Sequence, residues 1–193
     1  MIIDCMNMKK YYSLRIDTRC EGYTRIITPQ NRQLTANGVK RRKSKPTDLF
    51  LELRNDFVPG EFSPIMNSSY IDCLIVSQEF KDTVNPYIQD YPSIEFISVN
   101  VYNETNDMRQ YYLLNIKQAE HVIDFENSKC DDMITDGSFQ VYYPTLIANR
   151  VQHLHIFKIT SCLGNNLIIS EDVYDALSKV FKTGIRYEEV PVI

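Results

Sequence analysis

The segments "LIVSQEFKDTVNPYI" (74–88) and "LIISEDVYDALSKVF" (167–181) carry one pattern of apolar and polar positions. Each opens on three aliphatic residues and a serine, turns acidic, and then runs on amphipathically. In the first, Phe80, Val84, Tyr87 and Ile88 fall at i, i+4, i+7 and i+8, one face of a helix. Ser77 is placed to cap it, because its hydroxyl can accept from an unpaired first-turn amide, and Glu79 suits the positive end of the helix dipole. Pro86 implies that this helix kinks or ends by Asn85. In the second, Val173, Leu177, Val180 and Phe181 form the stripe, Ser170 is the cap, Glu171 and Asp172 fill the first turn, and Gly184 fits the stop. A β-like run follows each, "IEFISVNV" from Ile94 and "IRYEEVPV" from Ile185. The pattern predicts two strand–helix–strand pseudo-repeats, with helices near 78–85 and 171–182 burying one face apiece.

Elsewhere the pattern favours strands. "KYYSLRI" and "YTRIITP" are rich in β-formers, and "TDLFLEL" fits a short helix or a strand. Residues 30–48 are polar and carry Gly38 and Pro46, a loop, and "FVPGEFSP" is irregular. Between the two helices "FISVNVYN", "YYLLNIKQ", "AEHVIDFE", "FQVYYPTLI" and "VQHLHIFKIT" all look strand-like, with an acidic, turn-rich "CDDMITDGS" among them. Many strands and few helices predict an α+β fold with mixed or mostly antiparallel sheets. A length of 193 residues fits one domain over 1–193, or two small lobes of about 1–102 and 103–193.

Composition narrows the function. Apolar residues make up 44% of the chain, enough for a proper core, with 13 tyrosines, 9 phenylalanines and no tryptophan to supply the aromatic packing. The net charge of −4 argues against a dedicated nucleic-acid binder. It hides an asymmetry: Lys40, Arg41, Arg42, Lys43 and Lys45 form one basic run, so the rest of the chain is distinctly acidic and suited to a basic partner. The five cysteines, Cys5, Cys20, Cys73, Cys130 and Cys162, are odd in number and form no C-x-x-C, which fits a reducing compartment. Cys73 and Cys162 flank aliphatic runs and read as small buried hydrophobes. "MIIDCMNMKKYY" lacks the order of a signal peptide, and no apolar stretch approaches the length of a membrane span. A soluble, cytoplasmic protein is expected.

Motifs for catalysis are scarce. His153 and His155, two apart in an expected strand, would share a face and could hold a metal, but no third ligand is suitably spaced. His121 stands alone. Asp131, Asp132 and Asp136 before Gly137 lack the alternation of a calcium loop, so a solvated turn is the reading there. No glycine-rich phosphate loop and no G-x-S-x-G elbow occur, and capping is the role for Ser77 and Ser170. The basic run has no aromatic neighbour before Phe50 on which bases would stack. No cofactor is implied, and the chain reads as a binding protein rather than an enzyme.

The stretch "YYLLNIKQAEHVIDFENSKC" (111–130) resembles the Y-x-x-L-N…D-x-x-x-S signature of the eleventh group of bacterial polymorphic-toxin immunity proteins, formerly a domain of unknown function. The matching positions are Tyr112, Leu114 or Asn115, Asp124 and Ser128. "HIFKITSCLGNNLIISEDVYDALSKVFKTGIRYEEV" is similar to the family's ending, and "KPTDLFLEL…YIDCLIVSQEF" to its middle. The resemblance runs from Tyr11 onward, and the basic run and Pro86 stand outside its pattern. It implies a protein that neutralises a toxin of the same or a sister cell by direct binding, with no catalytic residues to carry over. A basic, nuclease-type toxin would suit the acidic surface. Two rivals stand beside this reading: a nucleic-acid-binding adaptor working through Lys40–Lys45, and a metal-dependent hydrolase built on His153, His155 and a carboxylate.

Stripes and strand interiors are committed to the core, so recognition is expected on loops. "NETNDM", with Glu104 and Asp107, and "CDDMITDGS", with Asp131, Asp132 and Asp136, offer steering acids. Tyr142 and Tyr143 just beyond offer rigid aromatic anchors.

Overall fold

Ser77 sets the first helix as the sequence predicts. The computed structural model describes residues 9–17, 25–29, 50–54, 64–68, 71–102, 108–130, 141–159 and 167–193. In chain order these form β1 (Tyr11–Ile16), β2 (Arg25–Pro29), β3 (Phe50–Arg54), β4 (Ile65–Ser68) and β5 (Ile71–Val76), then helix α1 (Gln78–Val84). There follow β6 (Ile94–Tyr102), β7 (Met108–Ile116), β8 (Ala119–Glu120), β9 (Lys129–Cys130) and β10 (Val141–Tyr143). The single turn α2 (Ala148–Val151), β11 (Ile156–Ile159), β12 (Leu167–Ser170), α3 (Glu171–Val180) and β13 (Ile185–Val190) complete the order. Strands dominate, in mixed and antiparallel sheets, and the fold is α+β. No helix among the described residues is long and apolar enough to cross a membrane. The basic run at 40–45, the loop acids Glu104, Asp107, Asp131, Asp132 and Asp136, and Cys162 lie outside the described residues, as does the side chain of Cys73.

The chain divides into two compact units, each drawing on separated segments. The unit of residues 15–117 and 176–186 contains a closed barrel in the order β2-β3-β6-β7-β5-β4. Its ladder mixes directions: β3 pairs with β6 and β2 with β4 in parallel, while β5 and β6 both pair antiparallel with β7. Along β6, Ile97, Val99 and Val101 are buried while Ser98 between them is exposed, the period of a strand with one face inward. Their partners Leu113, Tyr111 and Arg109 share that face by register, and burial pushes the Tyr111 hydroxyl up to about 12. The opposite face of β7 is also buried from Tyr112 on, because α1 covers it: the Tyr112 hydroxyl donates to Gln78, and the Lys81 ammonium lies 4.1 Å from the Tyr112 ring centre. A strand covered on both sides reads as a continuous apolar run, which is how "YYLLNI" is written.

In α1 the Phe80 amide donates to the Ser77 hydroxyl at 3.2 Å, and Phe80 and Val84 are fully buried. Pro86 cannot donate within an α-helix, so the α-helix stops at Val84 and Asn85–Tyr87 tighten into a 3₁₀ turn. The Phe80 ring stacks against Phe181, with centres 6.2 Å apart.

The other unit comprises residues 1–14, 118–175 and 187–193 and holds a sheet in the order β13-β1-β12-β11-β8. β1 and β12 run antiparallel with Tyr11 opposite Ser170 and Leu14 opposite Leu167. Tyr11 is buried with its ring edge-on to Phe157 at 5.9 Å, and its hydroxyl donates to the Val151 carbonyl, which pins the end of α2. The expected strand "VQHLHIFKIT" is thus α2 and a turn first, with β11 starting only at Ile156. "AEHVIDFE" likewise supplies only the two residues of β8 and an isolated bridge at Ile123 before a turn over 125–127.

The second helix departs from expectation at three points. Ser170 closes β12 fully buried, with its hydroxyl 3.1 Å from His155 Nδ1, while the first helical amide, that of Glu171, donates to the Lys10 carbonyl at 2.8 Å. Val173 and Leu177 are buried, but Val180 is 40% exposed and Phe181, past the last turn, is half-buried. Gly184 takes a positive φ of 83° where the chain turns into β13, four residues beyond the helix, a conformation that favours a residue without Cβ.

Candidate functional site

Of the residues expected to meet a partner, Tyr142 and Tyr143 are described, both on β10 and 42% and 67% exposed. Two consecutive exposed aromatics leave the ribbon open to solvent at both positions. β10 pairs only with β9 among the described residues, with a register shift between Val141 and Tyr143, while Val141 is buried. The Lys129 ammonium lies 5.5 Å from the Tyr143 ring centre. The ribbon therefore offers two rigid aromatic side chains, with a cation holding one of them in place.

Just ahead of β9, a turn is built from the acid and serine of the D-x-x-x-S signature. One Asp124 carboxylate oxygen accepts the amides of Glu126 at 2.9 Å and Asn127 at 3.2 Å, and the other accepts the Asn127 side-chain amide at 2.9 Å. The Ser128 hydroxyl donates to the Asp124 carbonyl and accepts the Thr145 amide at 2.8 Å; the Thr145 hydroxyl donates to the Asn127 carbonyl at 2.8 Å. Two segments far apart in the chain are thereby clamped together. Tyr112, Leu114 and Asn115 are buried elsewhere, with the Asn115 amide on Glu95 at 2.8 Å, so the signature's residues are structural.

The Asn127 side-chain amide above all, helped by the backbone amides of Asn127 and Glu126, holds the Asp124 carboxyl below the usual carboxylate range against the opposing effect of burial. A depressed carboxyl stabilises the fold above the unfolded carboxylate range, and that contribution is lost as pH falls through the lower folded value. Asp124→Asn is expected to flatten the acid limb of a stability–pH curve. Ser128→Ala strands the Thr145 amide and is expected to cost about 1–3 kcal/mol in denaturant unfolding at neutral pH.

The turn borders an open hollow of about 680 Å³. Val122, Ile123 and Ile159 are its buried apolar lining, and Glu120, Glu126 and the 56% exposed Phe125 stand around it. This aromatic among acids was read from the sequence as part of a strand. The signal that marks it as a turn tip is Asp124, Asn127 and Ser128 around it, residues that satisfy local backbone amides with their own side chains.

The two histidines do not share a strand face: His153 is exposed in the turn after α2, and His155 is half-buried before β11. His155 Nδ1 faces Ser170 Oγ at 3.1 Å, the Lys9 ammonium at 3.3 Å and an Asp172 oxygen at 3.6 Å, and Lys9 bridges to Asp172 at 2.8 Å. Serine, histidine and acid meet here, yet a relay needs the serine and the acid on different ring nitrogens and a reachable hydroxyl. Both face one nitrogen, and Ser170 is fully buried. Burial, and then the Lys9 charge, depress His155 against the pull of Asp172. Among the described residues no three or more histidine, cysteine, aspartate or glutamate side chains gather as metal ligands.

No protein of curated function matches the chain. The model of the immunity protein family (Imm11) matches residues 11–192, from the first residue of β1 to the bridge at Val192. With nearly its whole length matched, the chain belongs to the immunity protein family Imm11.

Proposed function

We propose that the protein neutralises a cognate toxin in the cytoplasm by binding it and masking its working surface, without catalysis of its own. The observation that carries this reading is the open β9–β10 ribbon with Tyr142 and Tyr143 exposed, directly after the acidic stretch 131–136. Exposed tyrosines lose little conformational freedom on contact and make large contact areas, while acids steer a basic partner. Glu104 and Asp107 add to the same acidic character. A basic toxin that grips phosphate fits this chemistry, because carboxylates can occupy the place of phosphate. The membership in an immunity family supplies the partner's class. The test is rescue: cells expressing the product of the adjacent reading frame should survive only when this chain is co-expressed. Death at undiminished rate in its presence would refute the reading.

A further inference from the structure

We propose that Lys9, His155 and Asp172 form an acid-sensitive latch: protonation of the His155 ring displaces Lys9 from Asp172 and loosens the chain entering β1 from the start of α3. All three residues belong to the unit of residues 1–14, 118–175 and 187–193. The chain entering β1 meets the start of α3 at two points. The Lys9 ammonium bridges to Asp172 at 2.8 Å, and the Lys10 carbonyl accepts the Glu171 amide at 2.8 Å. His155 Nδ1 lies against this junction, 3.3 Å from the Lys9 ammonium and 3.6 Å from the same Asp172 oxygen, with Ser170 Oγ of β12 at 3.1 Å. The neighbouring Lys10 ammonium is 3.9 Å from Glu189 on β13.

An ammonium only donates, so a hydrogen bond between Lys9 and His155 needs the lone pair of Nδ1. A proton on Nδ1 takes that lone pair and sets two positive charges 3.3 Å apart, in half-buried surroundings that screen them less than open water does. One Asp172 oxygen then faces both cations. His155 is fixed in place, because its carbonyl accepts the Ser170 amide at 2.9 Å. Lys9 carries its charge on a flexible stem and precedes the first residue of β1, so Lys9 is the group that yields. Burial and the Lys9 charge already hold the ring below the ordinary histidine value, against the pull of Asp172. A histidine depressed in this way supports the fold fully above its ordinary value, and that support fades as pH falls through it toward the lower folded value. The trigger is mild acid, within the range where histidines change charge, and it needs no partner.

The test follows the full chain by NMR from about pH 8 to about pH 5, above the ordinary carboxylate range. His155 should titrate below the ordinary histidine value. As it does, the protection of the Glu171 amide against hydrogen exchange should fall about tenfold or more. In His155→Gln, which cannot take up the proton, that step should vanish. In Lys9→Met the ring should titrate at a higher pH than in the wild type, and the step should vanish again, because no bridge is left to displace. A dispersed amide spectrum verifies that each variant is folded. Should His155→Gln fail to fold, Lys9→Met decides alone, since it keeps the length of the side chain and removes only its charge. Glu171 protection that stays level while the ring titrates would overturn the latch. So would a step that persists in either folded variant, or a ring whose titration is indifferent to Lys9→Met.

Discussion

Replacing Phe80 by alanine should destabilise the protein by about 3–5 kcal/mol, the usual range for emptying a fully buried aromatic site. Phe80 is fully buried, stacks on Phe181, and lies on the inward side of α1 with Val84. α1 is only seven residues long, too short to hold itself as a helix in water, so its order depends on this packing and on the Ser77 cap. Losing the ring therefore loosens the cover over Phe96 and Tyr112 as well as leaving a cavity. For a chain of this size the melting temperature should fall by roughly 6–20 °C. Leu177→Ala, in the buried stripe of α3, should cost about 2–5 kcal/mol, while Val180→Ala on the exposed side should stay within about 0.5 kcal/mol. A Phe80→Ala melting curve that overlays the wild type would contradict the packing described for α1.

The contrast between Leu177 and Val180 shows what a linear pattern can and cannot convey. Ser77, Phe80 and Val84 were legible because capping and a 3.6-residue period are local properties, written within a single turn or two. Val180 has the right residue type and the right spacing, but it sits in the last turn, where the covered surface runs out. His153 and His155 alternate with apolar residues as a strand would. That alternation over so short a run does not distinguish a strand from a helical turn followed by a bend. The cluster of Lys9, His155, Ser170 and Asp172 was beyond reach for a different reason. It exists because β1 pairs with β12, and the register between strands so far apart is fixed by packing, not by neighbours in the chain. The closed barrel depends on such pairings too. At the candidate site the exposed tyrosines were legible as aromatics next to acids, whereas Phe125 was hidden in a segment with strand-like hydropathy.

Reversing Asp131, Asp132 and Asp136 to lysine should slow association with the toxin by about 10–100-fold at low salt. Each reversal changes the charge by two, so the stretch shifts by six units, and a field that attracts a basic partner becomes one that repels it. The dissociation rate should change far less, because steering acts before the partners touch. Raising the salt should shrink the difference, since the screening length falls from about 10 Å at 0.1 M to about 3 Å at 1 M. A melting curve equal to the wild type's is the control that separates lost steering from lost fold. Unchanged association and unchanged protection would remove this stretch from the interface and turn attention to the basic run at 40–45 or the N-terminal strands.

The most direct measurement titrates the activity of the purified product of the adjacent reading frame with the purified chain. Masking by a non-catalytic binder predicts inhibition that reaches completion at a fixed stoichiometry, with the toxin recovered at unaltered mass and full activity once the complex is dissociated. Toxin that stays active at saturating concentrations of the chain, or that is inactivated in large excess over it and recovered chemically altered, would contradict the account.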